Sequence, residues 1–350
     1  MLALRSELST ELFFYIKLMY LLPILFLLSF AFSAVNEPVG EARPANAGDF
    51  FRHPNGSKNY SESWDYVFVL DNGAKVYVNY TWMNIPGSGY KIGTQFSIWN
   101  FRGKSANVGR QYPTERFSEN KSTNTISIKD EYKMENLPGK GHRVLFTADK
   151  NGKFFLDLKF TSADTAKIPG DGVFNVNGQK YGLYVHIPYG RVEGRIGINN
   201  DTVTVKGYGY MDHSWLTDAA TNMAARSLLF TGSNKDRIAG RININPKGEF
   251  YGYAIANNNS KPVLPAEILE GNGAYNPKKF PSQLTIKWKD EEISPLTFVA
   301  KFQEKFSILA NADGFLERQA IKNSMGEIFY LRGRSQTEHW GRVDWVLSGK

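Results

Sequence analysis

Cysteine is absent from all 350 residues. That excludes disulfides, thiol nucleophiles, thiolate metal sites and a lipid-modified cysteine anchor, and it leaves stability to core burial. Histidine is scarce, with five in the chain and no His-x-x-x-His pair, so a zinc site would have to be assembled from residues far apart in sequence. On this basis no metal and no cofactor are expected. There is no Gly-x-Ser-x-Gly elbow, no phosphate-cradling loop and no dinucleotide fingerprint in a βαβ setting, which sets aside the common hydrolase, kinase and dehydrogenase readings. Charge of one sign never clusters into a run of five or six. The net charge of +8 is spread along the chain, which speaks for solubility or attraction to anionic surfaces and against a nucleic-acid arm.

Long apolar runs are also missing, with one exception, Leu18 to Phe32. At about 15 residues it is shorter than the roughly 20 that span a bilayer. Lys17 before it and Ala31, Ser33 and Ala34 at its end give the pattern of a secretory signal peptide over residues 1–34. A secreted or periplasmic protein is expected, with an uncleaved N-terminal membrane anchor as the alternative. The remaining chain, about 315 residues, exceeds the roughly 250–300 at which single cores stop growing, so two domains are expected.

What is present is β-structure. Residues 35–62 lack apolar periodicity, carry Pro38, Pro44 and Pro54, and read as a tether or an irregular lead-in. From Trp64 onward apolar and polar residues alternate, as in Ala74-Val76-Val78-Tyr80-Trp82 against Lys75-Tyr77-Asn79-Thr81. Similar runs follow up to Gly207, among them Gly182–Ile187 and Arg191–Asn199, punctuated by turn signals such as Asp71-Asn72-Gly73 and Asn151-Gly152. Eight or more antiparallel strands in about 150 residues imply a sandwich or an up-and-down barrel, whose aromatic inward faces either fill a core or line a hollow wall. An alanine-rich segment, Asp218 to Arg226, predicts a short helix, and further strands follow it, interrupted by a loop-like insertion from Lys261 to Pro281. The chain is thus all-β, with an N-terminal domain over 63–216 and a linker helix plus C-terminal domain over 217–350.

The chemistry concentrates in Gly207-Tyr208-Gly209-Tyr210-Met211-Asp212-His213-Ser214-Trp215. A carboxylate beside an imidazole suits general acid–base work. Successive strand residues point to opposite faces, so Asp212 and His213 share a cavity only if Gly207 and Gly209 break the strand. The alternative is that Asp212 anchors the junction between domains and His213 packs there. A second candidate is Tyr184-Val185-His186-Ile187-Pro188-Tyr189-Gly190-Arg191-Val192-Glu193-Gly194-Arg195, read either as a head-group site using His186, Arg191 and Glu193 or as an exposed hairpin turning at Pro188 to Gly190. A third is Thr337-Glu338-His339-Trp340.

The order Tyr184-Val185-His186-Ile187-Pro188, Val192-Glu193-Gly194-Arg195-Ile196, then Val203 through Gly207 to Trp215, resembles the double lipocalin-like (calycin) superfamily. That group holds the carotenoid 1,2-hydratases, also called hydroxyneurosporene synthases, together with Diels–Alderase-type cyclases and survival-factor-like proteins. The resemblance implies two consecutive lipocalin-like antiparallel β-barrels joined by a short helix, each able to enclose an apolar ligand. The chain departs from the hydratase pattern at Leu216, where glycine often stands.

Three functions follow as expectations. The first is an exported, monomeric carrier of a hydrophobic lipid or isoprenoid, with Trp82, Trp99, Tyr184, His186, Tyr210 and Trp215 around the ligand and peripheral contact with a membrane. The second is a hydratase or cyclase acting on an isoprenoid alkene, with Asp212 as general acid and His213 positioning it. The third is a carbohydrate-binding or structural β-sandwich.

Overall fold

The computed structural model describes residues 35–348, apart from 86–88, 138, 140, 150–151, 165, 232–237, 257–260, 271–282, 308–314, 316–317, 320–321, 324–327 and 336–341. The apolar run Leu18 to Phe32, most of the insertion after Glu270 and the Thr337–Trp340 cluster lie outside the described residues.

The lead-in contributes β1 (Val35–Asn36) and β2 (Arg43–Pro44). Four long strands then meander: β3 (Ser61–Leu70), β4 (Lys75–Ile85), β5 (Gly89–Phe101) and β6 (Lys104–Pro113). After a turn over Thr114–Arg116 come β7 (Phe117–Asn120), β8 (Thr125–Ile128), β9 (Tyr132–Leu137), β10 (Gly141–Asp149) and β11 (Lys153–Ala163). The short β12 (Lys167–Ile168) and β13 (Val173–Val176) precede the two longest strands, β14 (Gln179–Ile198) and β15 (Asp201–Leu216). The last strand, β15, returns to pair with the first, Leu216 opposite Ser61 and Gly207 opposite Leu70. The two free edges of this sheet are β6 and β7, consecutive strands joined by the Thr114–Arg116 turn, so the sheet curls round into a nearly closed antiparallel barrel.

A short helix, α1 (Ala220–Met223), leads to a second sheet built on the same plan. It comprises β16 (Arg226–Thr231), β17 (Ala239–Ile244), β18 (Phe250–Ala256), β19 (Lys261–Val263), β20 (Pro265–Glu270), β21 (Gln283–Trp288), β22 (Leu296–Ser307), β23 (Ile328–Ser335) and β24 (Arg342–Ser348). Again the last strand pairs with the first, β24 with β16, and the free edges β19 and β20 are consecutive. The start of the predicted insertion is therefore extended strand that completes the second sheet.

Several local expectations change. Gly207 and Gly209 do not break β15. A Cβ at Gly207 would stand 2.3 Å from the Val69 carbonyl oxygen, and one at Gly209 would meet Phe68 and Phe160 at 2.8 Å, so these glycines admit close neighbours within an unbroken strand. Pro188 to Gly190 is no hairpin turn. The chain runs through as β14, and irregularities in its pairing at Val185/Ile187 and Ile187/Gly190 absorb the proline. Phe315, Arg318 and Gln319, for which the alternating pattern of Phe315–Ala320 predicts a strand, are helical.

The first barrel is filled ring against ring away from the lead-in, with Phe96 on Phe146 at 5.3 Å, Phe146 on Tyr132 at 4.8 Å and Phe68 on Phe160 at 5.8 Å. A second cluster, including Val67, Tyr77, Leu183, Val185, Tyr210, Tyr251 and Tyr253, packs the outer face of β3, β14 and β15 against β17 and β18. A third, with Leu228, Phe230, Ile242, Leu284 and Ile286, fills the second barrel.

The largest correction concerns the lead-in. The backbone bonds β1 to β13 and β2 to β12, and Phe50 is fully buried in the first core. An Asn46 cap holds a single 3-10 turn over Ala47–Phe50, its side-chain oxygen accepting from the amides of Gly48 and Asp49. Trp64 donates its indole N–H to the Phe50 carbonyl at 2.8 Å. Residues 43–53 thus close one end of the barrel.

Candidate functional site

Because β15 is unbroken, Asp212 and His213 point to opposite sides of the barrel wall. Asp212 faces outward, toward the second barrel. It is fully buried, accepts from the Tyr210 hydroxyl at 2.7 Å, and is gripped by Arg241 of β17, whose Nε and Nη2 lie 3.2 and 3.1 Å from its two oxygens. The same Nη2 donates to Asp65 of β3 at 2.7 Å, and Tyr77, Asn79 and Ser63 supply further donors to Asp65. Burial pushes the Asp212 carboxyl up to about 6, against the pull of Arg241 and with a push from Asp65. Asp65 is held below the ordinary range: its burial is outweighed by Arg241 and the three side-chain donors. This cluster ties the barrels together, as does Tyr253, whose hydroxyl donates to the Leu183 carbonyl and accepts from the Val185 amide. Asp212 anchors the junction.

His213 faces into the mouth of the first barrel. Its ring lies flat on Trp64, centroids 4.6 Å apart at 7°. Nδ1 is 2.5 Å from the Asp49 carbonyl oxygen and Nε2 is 2.8 Å from Oε1 of Glu62. A carbonyl only accepts, so Nδ1 carries a proton. Burial alone would raise Glu62, but the charge and hydrogen bond of His213, with donors from His53 and Tyr60, bring it down to about 2. Glu62 is therefore held as a carboxylate, sealed with the imidazole of His213 against it.

His53, from the lead-in, completes the group. Its backbone amide donates to Glu62 Oε1 at 3.0 Å, and its Nδ1 is 3.3 Å from the same oxygen. The ring stacks on Tyr184 at 5.0 Å and on Trp215 at 5.7 Å. Trp215 can lie there because residue 182 is glycine: a Cβ would stand 2.1 Å from the indole nitrogen. With Nδ1 turned to Glu62, Nε2 of His53 has no partner among the described residues, and the side chain is 26% exposed where Glu62 and His213 are sealed.

Four of the five histidines gather here. His186 Nε2 is 3.2 Å from the Asp49 carbonyl, and His142 Nδ1 is 2.9 Å from the Tyr66 hydroxyl. Burial, with the neighbouring histidines, lowers both, His186 to about 4. Asp49 is set by Arg43, which grips its two oxygens at 2.7 and 2.9 Å.

Of the predicted site residues, Tyr184, His186, His213 and Trp215 meet at this mouth. Trp82 stands at its rim, where the guanidinium of Arg52 lies 3.8 Å above its ring. Tyr210 and Asp212 belong to the outer cluster, and Trp99 sits at the far end of the β4–β5 pair, opposite Lys75. His53, Glu62, Asp49, Asp65 and Arg241 were missed. Glu62 had a signal, since it shares the apolar face of β3 with Trp64, Tyr66 and Phe68. Chemically the mouth offers one oriented, partly open imidazole over a sealed carboxylate–imidazole pair, walled by aromatic rings.

Comparison with solved structures places the architecture. A protein from Nitrosomonas europaea provisionally named AttH is 11% identical, with 90% of this chain and 99% of that one covered and a TM-score of 0.59. Kievitone hydratase from Nectria haematococca is 9% identical over 84% of this chain and 90% of its own, with a TM-score of 0.48. CghA is 11% identical over 91% and 100%, also at 0.48. No protein-family model and no curated protein sequence matches the chain. At these identities likeness speaks to fold alone, and the AttH structure is near enough to carry it. The chain has the double lipocalin-like (calycin) fold, two antiparallel barrels in series.

Proposed function

We propose that this protein binds a small, largely apolar molecule at the mouth of the first barrel and holds the molecule's polar group on Nε2 of His53. One observation carries the reading: an imidazole aligned by Glu62, stacked on Tyr184 and Trp215, and left with one unpartnered nitrogen at a partly open position. A mostly aromatic surround with a few fixed polar groups is the make-up of small-molecule sites. The packed rings below confine the ligand to the mouth. A lipid or isoprenoid with a hydroxyl or carbonyl end fits that chemistry. The leader-like run Leu18 to Phe32 supports an exported carrier.

The test is titration of the chelator-treated protein with long-chain alcohols and isoprenols, followed by tryptophan fluorescence. Saturable quenching in the wild type, weakened about tenfold in His53→Ala as expected for a lost hydrogen bond of about 1.5 kcal/mol, supports the proposal. Absence of quenching, or unchanged affinity in the variant, removes it.

The same observation favours a second reading, a hydratase or cyclase using His53 as its general base. In the neutral ring, Nδ1 donating to Glu62 leaves Nε2 bare, the state a base requires. Asp212, although raised to about 6, is closed off behind Arg241 and Tyr210. Turnover of an alkene that persists in His53→Ala would rule this reading out.

A further inference from the structure

We propose that His53, Glu62 and His213 form a binding site for a divalent transition ion of the zinc class. One ring nitrogen of His53, one of His213 and a carboxylate oxygen of Glu62 all lie within 4.8 Å of one another. Glu62 Oε1 is 2.8 Å from the His213 nitrogen and 3.3 Å from the His53 nitrogen. A tetrahedral zinc ion with bonds of about 2.0–2.1 Å sets its ligand atoms about 3.4 Å apart, so side-chain shifts of about 1 Å bring these three into place. Two imidazoles and one carboxylate are an established ligand set for zinc, with the fourth position left to water or a bound molecule.

The surroundings match what a metal site requires of its supporting groups. A ligating histidine donates its other ring N–H to a carbonyl or carboxylate, which fixes the tautomer and the ring. His213 does this through Nδ1 to the Asp49 carbonyl, and Asp49 is itself held by Arg43 and by the Asn46 amide. The Tyr60 hydroxyl donates to Oε2 of Glu62, the oxygen not shared with the two imidazoles, leaving Oε1 turned toward them. Trp64 beneath His213, and Tyr184 and Trp215 beside His53, hold both rings by stacking. His53 is the open side of the group, which gives an ion its way in.

An ion here changes what the mouth presents to a ligand. With Nδ1 on the metal, His53 carries its proton on Nε2 and turns from acceptor to donor. The fourth coordination position takes the oxygen of an alcohol or carbonyl directly. The inference shares its residues with the small-molecule site but does not depend on it, because metal binding is read without ligand.

The experiment uses the full-length protein stripped with chelator and dialysed, then titrated with Zn2+ by calorimetry and with Co2+ by visible absorption. One ion per chain, a Co2+ spectrum of four-coordinate intensity, and at least a tenfold loss of affinity in His53→Ala are expected. Lys287→Ala, at an exposed ion pair of the second barrel, serves as the comparison and keeps wild-type affinity. The thermal midpoint of the metal-free His53→Ala protein establishes that it is folded. No stoichiometric binding to the wild type, or equal affinity in the wild type and His53→Ala, overturns the site. If ions do not bind but isoprenols still quench the chelated protein, the metal site alone fails; the reverse result removes the ligand proposal alone.

Discussion

At the scale of single residues, the instructive group is Glu62. An acid on the aromatic face of β3 has no place unless something pays its desolvation, and His213, His53 and Tyr60 do so. Glu62→Gln removes the charged partner of the buried His213 ring, and a loss of about 3–5 kcal/mol in urea denaturation is expected. The exposed pair Lys287–Glu267, 2.8 Å apart, gives the contrast: Lys287→Ala should change stability by less than about 1 kcal/mol. The Asp-His dipeptide was legible as a place where chemistry gathers, and the alternation rule set its two members on opposite faces unless Gly207 and Gly209 broke the strand. Their true partners were not legible. Glu62, Asp49 and Arg241 reach them across the barrel wall and between sheets, and no local spacing encodes those contacts.

At the scale of elements, the lead-in is where pattern reading misled. Residues 43–53 have neither helical nor strand periodicity, because their order comes from a capped 3-10 turn, one short ladder and one deeply set ring. Phe50→Ala should cost about 3–5 kcal/mol, which a tether could not show, and chemical denaturation measures it. Acid should loosen the same segment. Burial would raise Asp49, but Arg43 and the Asn46 amide outweigh it and hold the carboxyl below its ordinary 3.8. Its folded value being the lower, Asp49 contributes fully above about 3.8, and that contribution is lost as pH falls through the folded value. Trp64 emission, tied to the Phe50 carbonyl, should therefore shift in that acid window, and in Asp49→Asn the shift should already be present at neutral pH.

At the scale of the whole molecule, two barrels meet across a polar clamp. Strand alternation and turn chemistry carried the all-β class, and the motif from Tyr184 to Trp215 carried the double-barrel resemblance. The filling of the first barrel depends on which rings meet across it, which a linear pattern does not contain. Arg241→Ala leaves Asp65 and Asp212 buried against each other without their cation. It should cost about 3–5 kcal/mol and separate the melting of the two barrels into two calorimetric transitions. The pairing of last strand with first has its own consequence during synthesis. The strand bearing Glu62 and Asp65 leaves the ribosome early, yet its partner on one side, β15, is made only after every other strand of that barrel. Until then an aromatic strand edge stands open to other chains, so nascent protein is most vulnerable to aggregation before Leu216 emerges, and a holding chaperone should raise the yield of folded protein more than a lowered rate of translation does.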